Sequence, residues 1–256
     1  MKKLTLSVLL LLTCFALRAQ VGLRVGGHLG FNNVFIHNQN SYGYSEMDYE
    51  NKFGLMGGVD VAYNFDGMSG VQTEINYVKL GQDYFDRNRD FSADSDNNPK
   101  VDTYRQIDLS YVQIPIFYRF QSEKRKKTVA VFHALVGPTF GFLISADMAY
   151  QADVESNGEL VDIPLVIIEG AVPDFVATDA EEEPKDFFRG FDMGMQFAFG
   201  ADIYANKQVY FTPQLRMFYG FTDINSQPTR DLYTDYAFSR NAFVGFTVGV
   251  HYYVKQ

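Results

Sequence analysis

The stretch FDMGMQFAFGADIY (191–204) sets bulky apolar residues at every second position: Phe191, Met193, Met195, Phe197, Phe199, then Ala201 and Ile203. Between them stand Asp192, Gly194, Gln196, Ala198, Gly200 and Asp202. A period of two predicts a β-strand with one apolar face. The segment is well over twice the average strand of roughly 5–6 residues. Seven further segments read as strands, giving eight in all: about 21–31, 53–65, 70–81, 107–120, 128–146, 189–204, 208–220 and 239–254.

The connections alternate in length. Three are short: DGMS (66–69), QSEKRKK (121–127) and ANKQ (205–208). Four are long: 32–52, 82–106, 147–188 and 221–238. Short turns therefore share one end of an up-and-down sheet with both termini, and long loops share the other, as in outer-membrane barrels. Eight antiparallel strands also close into a small barrel without free edges.

The size of the side chains decides which face looks inward. The last strand sets Val244, Phe246, Val248, Val250, Tyr252 and Val254 against Gly245, Thr247, Gly249 and His251. The strand before it sets Phe211, Pro213, Leu215 and Met217 against Thr212, Gln214 and Arg216. Such bulk would overfill an eight-stranded lumen. Small and polar residues are expected inside and apolar ones against lipid. The expected fold is all-β, an eight-stranded antiparallel up-and-down transmembrane β-barrel in the outer membrane. Tyr63, Phe65, Tyr118, Phe120, Tyr204, Tyr210, Tyr252 and Tyr253 are expected to form a girdle at the short-turn rim. Phe31, Phe53, Phe191, Phe218 and Tyr219 are expected at the other.

Composition fits export. Lys2 and Lys3 precede an apolar stretch, Leu4 to Leu17, and a small residue, Ala19. Residues 1–19 read as a signal peptide cleaved near Ala19, leaving 20–256 as the barrel domain. The sole cysteine, Cys14, lies in the signal, so the mature chain has no disulfide and no thiol. The chain of 256 residues has a mean hydropathy of -0.15 and a net charge of -9. Losing Lys2, Lys3 and Arg18 takes the charge to -12, which speaks against nucleic acid as a partner. Aromatics are abundant, 24 Phe and 17 Tyr with no Trp, as paired rims of aromatic residues require.

The segments DLSYVQIPIFYRF (108–120), ALVGPTFGFLISA (134–146), GLRVGGHLGFN (22–32) and VYFTPQLRMFYGFTDI (209–224) together resemble the PorT-like outer-membrane β-barrel family of the Bacteroidota. The resemblance covers residues 21–254. It implies an eight-stranded outer-membrane barrel, in one member an accessory of a secretion system. Many barrels of this kind end on an aromatic residue. This chain departs from that pattern in Val254-Lys255-Gln256, so recognition by the assembly machinery is expected to rest on Tyr252 or Tyr253.

Pro115 interrupts the fourth strand. Ile107, Leu109 and Tyr111 share one parity, and Val112, Ile114, Ile116, Tyr118 and Phe120 the other. A bulge or twist near Tyr111–Pro115 is expected to reconcile them, unless the first part lies above the membrane.

Inward charges are few. Arg24, Asp60, Glu74, Arg119, Asp202 and Arg216 are expected to form a structural polar network in the lumen, since unpaired buried charges are costly. Asp192, Gln72, Asn76, Gln113, Gln196, Gln214, His28, His133 and His251 share that face. The histidines are too scattered to predict a metal site, and His28 and His251 are expected to enter from opposite ends. DSDNN (94–98) begins like a calcium loop but has Pro99 and Arg105 where glycine and glutamate are required. His37, Ser41, Ser45 and Asp48 share a loop without catalytic spacing. No catalytic, cofactor or metal residues are therefore assigned, and an enzyme is not expected.

The third long loop carries twelve acids against one base, Lys185, between Asp147 and Asp186. It encloses an apolar run, IPLVIIEGAVPDFV (163–176). It reads as a hairpin extending the barrel outward or as a docking surface for a protein partner. KRKK (124–127) forms a basic turn at the other end, suited to anionic headgroups. The expected function is structural or interaction-based: a monomeric barrel in outer-membrane lipid presenting acidic loops, one specific form being an accessory of a secretion or surface complex. The alternatives are a small solute-conducting pore and, further off, a lipid-modifying enzyme.

Overall fold

The structure, a computed structural model, describes residues 22–37, 48–88, 101–123, 129–156, 159–162, 184–231 and 236–255. Ten strands follow in order: β1 (Leu23–His37), β2 (Asp48–Glu50), β3 (Lys52–Asn64), β4 (Ser69–Asn88), β5 (Val101–Gln121), β6 (Ala130–Ser156), β7 (Glu159–Asp162), β8 (Phe191–Tyr204), β9 (Val209–Gly220) and β10 (Arg240–Lys255). A 3₁₀ turn (Pro184–Phe187) and a short helix α1 (Gln227–Asp231) lie between strands at the long-loop end.

Eight strands pair in the order β4-β3-β1-β10-β9-β8-β6-β5, and β5 pairs back onto β4. The sheet is a closed antiparallel barrel, as the alternation predicts. Its stagger follows from the register. From Asn32 the partners run through Gly245, Arg216, Ala198, Leu135, Arg119, Gly70 and Asn64 to Gly22, ten residues before the starting point. This shear of ten tilts the strands and fixes which side chains share a level in the lumen.

The alternation in 191–204 resolves as expected. Phe191, Met193, Phe197 and Phe199 face outward, while Asp192, Gln196, Ala198 and Asp202 are buried. The outward band includes Leu29, Val59, Ile75, Ile116, Phe132, Leu215 and Phe246. The β3–β4 turn is held by Asp66, which accepts bonds from Met68 N (2.7 Å), Ser69 N (2.6 Å) and Ser69 Oγ (2.8 Å). These donors favour the carboxylate, so the Asp66 pKa lies below the ordinary aspartate value.

Three expectations need correction. Tyr210, Tyr253 and Phe218 point into the barrel and are not girdle residues. The register shift between β5 and β6 does fall at Ser110/Tyr111, but the extra residue is Ile144 on β6. β5 keeps one inward parity throughout, so Ile107, Leu109, Tyr111, Gln113, Phe117 and Arg119 all face the lumen. Finally, much of loops 82–106 and 147–188 is strand. Backbone ladders continue outward because each strand still has a neighbour to satisfy its N–H and C=O groups, whether or not lipid lies outside.

Candidate functional site

The lumen is filled in two different ways along its length. At the short-turn end Asp202 on β8 is the hub. Its Oδ2 lies 2.5 Å from Arg119 Nη2 and 3.3 Å from Arg24 Nη1. Its Oδ1 accepts from Thr212 Oγ1 (3.2 Å) and lies 3.2 Å from His133 Nδ1. Strands β1, β5, β6, β8 and β9 thus meet at one carboxylate, and Arg24 ties in β3 by donating to Asn64 Oδ1 (3.1 Å), and also donates to Tyr210 Oη (3.3 Å).

One level further in, Glu74 on β4 accepts two bonds from Arg216 on β9: Nη1 to Oε2 at 2.5 Å and Nη2 to Oε1 at 3.1 Å. Gln72 and Asn76 each donate to the same carboxylate at 2.8 Å. Asp60 receives His251 Nε2 at 3.0 Å, and His28 Nδ1 stands 3.7 Å from it. His28 and His251 thus converge on one acid. The expectation that they enter from opposite ends is wrong, because β1 and β10 are paired with Gly26 opposite His251 and His28 opposite Gly249. Glycines make the room: a Cβ on Gly26 would lie 2.0 Å from the His251 ring.

The structure therefore brings Arg24, Arg119 and Asp202 into one cluster and Glu74, Arg216 and Asp60 into the next, with His28 near both acids of the second. Each acid has a cationic or imidazole partner, as burial of charge demands.

The outer half of the lumen is largely apolar, with Asp192, Asn241 and Gln82 as buried polar exceptions, which inward polarity alone does not suggest. Val34, Ile36, Met56, Val78, Leu80, Ile107, Leu109, Tyr111, Leu143, Phe218 and Phe243 pack together inside the barrel. Phe187, Phe188 and Ile224 drop onto this core from the connections at that end. They are pinned by an isolated bridge between Phe188 and Asn225 and by Thr229 Oγ1 donating to Phe187 O (2.8 Å). Asp223 fastens the last connection: it accepts from Tyr236 Oη (2.7 Å) and Ser239 N (3.1 Å) and pairs with Arg230 (3.0 Å). The outer mouth is capped.

Beyond the cap, β4, β5 and β6 run on together. β2 pairs on one side and β7 on the other, so the outer sheet reads β2-β4-β5-β6-β7. Its register sets acids side by side: Asp102 opposite Asp153, Asp153 opposite Asp162, and Asp108 opposite Asp147.

Other candidates separate. His37 Nδ1 lies 2.8 Å from Tyr219 Oη at the barrel rim. Ser41, Ser45, DSDNN (94–98), KRKK (124–127), the run 163–176 and the signal segment 1–19 lie outside the described residues, as does the side chain of Asp48. Among the described residues no group of three or more His, Cys, Asp or Glu could hold a metal. No helix among them is long and apolar enough to cross a membrane, which says nothing of strands.

The family model for the outer membrane protein beta-barrel domain matches residues 18–226. The chain belongs to that family. It is a β-barrel protein of the outer membrane, and its exposed apolar band is the lipid-facing surface. No curated protein matches it. Among solved structures it is similar to the outer membrane protein OprG from Pseudomonas aeruginosa, at 11% identity over 93% of this chain and 98% of that one, with a TM-score of 0.49. It is also similar to Ail, the attachment invasion locus protein of Yersinia pestis, solved with the heparin analogue sucrose octasulfate, at 11% identity over 90% and 99% and a TM-score of 0.37. Neisserial surface protein A matches at 10% identity over 90% and 96%, with a TM-score of 0.37.

Proposed function

We propose that this barrel conducts nothing and serves as a rigid membrane mount for the acidic outer sheet, which docks a protein partner bearing basic residues. The observation that carries this reading is the register of the outer sheet. Asp102, Asp153 and Asp162 stand abreast on three neighbouring strands, with Arg87 on β4 opposite Asp102, so the row sets three acids against one base. Like charges directly opposite one another are destabilising, and a positively charged surface laid across them relieves the repulsion. The filled lumen supports the same reading, because it leaves the outer sheet as the part free to act. A role as accessory of a secretion or surface complex, as the PorT-like resemblance implies, is the specific form proposed.

Cross-linking in intact cells followed by mass spectrometry tests it, comparing wild type with a variant lacking 150–186. One protein is expected to be captured by wild type and lost from the deletion variant, with capture weakened at high salt. Capture of nothing by either chain, or of the same protein by both, overturns the docking role.

A further inference from the structure

Asp192 stands apart from the other lumen acids. Asp60, Glu74 and Asp202 each face an arginine or histidine, but Asp192 is 1% exposed and has no Lys, Arg or His within ion-pairing distance among the described residues. It accepts bonds from Thr222 Oγ1 (2.5 Å) and Asn241 Nδ2 (3.0 Å), both neutral. A buried carboxylate without a counter-charge is costly.

Two more oxygens nearby lack partners. Tyr111 Oη and Asn241 Oδ1 are both fully buried and neither has a hydrogen-bond partner of good geometry, although Asn241 stands beside the tyrosine hydroxyl. Tyr111 and Asp192 come together over Gly141, where an added Cβ would lie 3.4 Å from the tyrosine ring and 3.5 Å from the Asp192 Cβ. The carboxylate itself lies over Gly220, whose added Cβ would be 3.1 Å from Oδ1. Side chains are thus missing from β6 and β9 where the four polar groups converge. Asn241 turns Nδ2 to the carboxylate; a cation between them would exchange the two ends of the amide and bring Oδ1 toward Asp192 in place of that bond.

We propose that Asp192, Thr222, Asn241 and Tyr111 form a binding site for a single hard monovalent cation of the sodium class. All the donors are oxygens, which suit hard cations and not transition metals. One carboxylate supplies one negative charge, so one positive charge balances it. A divalent ion would leave an excess charge in an apolar surround. Thr222 lies in the connection after β9 and is only half-buried, so one edge of the site borders the outer surface.

The test uses the full mature chain in detergent micelles. Thermal unfolding is followed at constant ionic strength in sodium, potassium, calcium or N-methylglucamine chloride. Wild type is expected to show a saturable upward shift of Tm with sodium over N-methylglucamine. The shift is lost in Asp192→Asn and reduced in Thr222→Val. Should either variant fail to fold, sodium NMR line broadening by the wild-type chain, competed by added potassium, gives the same answer without them. Identical midpoints in all salts, or a shift retained by Asp192→Asn, overturn the proposal. A saturable response to calcium with none to sodium overturns the monovalent assignment.

Discussion

Glu74 and Arg216 clasp each other across the full width of the barrel: four strand steps separate β4 from β9 in either direction, and two hydrogen bonds of 2.5 and 3.1 Å join them. Both side chains are almost wholly buried. Arg216 is further held by Gln214 Oε1 (2.6 Å) and Thr247 Oγ1 (3.1 Å). Breaking one side leaves the other charge without its partner. Glu74→Gln or Arg216→Met alone is expected to cost about 3–5 kcal/mol. The double variant is expected to recover most of that, since removing both charges also removes their desolvation penalty. Urea unfolding of the four chains in lipid vesicles, arranged as a double-mutant cycle, measures the coupling.

Gln113 presents the opposite case. It is completely buried on β5, and neither end of its amide has a hydrogen-bond partner. An unsatisfied buried polar group costs about 1–3 kcal/mol. Gln113→Met keeps the length of the side chain and removes the orphaned atoms. The variant is expected to be more stable than wild type by about 1–2 kcal/mol, read in the same vesicle assay.

Gly81 on β4 has φ of 137°, a region open only to glycine at low cost, and an added Cβ would meet Ile107 O at 2.0 Å. Gly67 in the β3–β4 turn has nothing within 4 Å of an added Cβ. Gly81→Ala is expected to destabilise by about 1–3 kcal/mol, and Gly67→Ala to stay within about 0.5 kcal/mol of wild type. Equal effects would show that the β4–β5 ladder tolerates a shift at Gly81.

Much of this architecture is legible in the chain, and the parts that are not have identifiable reasons. Alternation in 191–204 and 239–254 exposes the lipid face, because lipid demands bulk on every outward position. It also assigns Arg24, Asp60, Glu74, Arg119, Asp202 and Arg216 to the inward face. It does not say which of them touch. That depends on the shear of ten, a property of the whole closed sheet, and so the meeting of His28 and His251 at Asp60 goes unseen. Nor does it reveal the apolar outer half of the lumen. Ile107, Leu109 and Tyr111 read as a phase error in a strand supposed to be polar within, whereas they are the core beneath the cap. Phe218 and Tyr210 look like girdle residues because tyrosine and phenylalanine suit both settings. Strands beyond the membrane escape notice because nothing outside them imposes alternation.

With ion pairs closing the lumen at one end and an apolar core with its cap at the other, the wild-type barrel is expected to carry no current. Planar bilayer recording of the purified mature chain reads this out. A membrane holding many copies is expected to show no steady conductance steps above the protein-free baseline, at either sign of voltage. Reproducible ohmic steps from wild type, present with the cap and both charge clusters intact, would show an open path through the lumen.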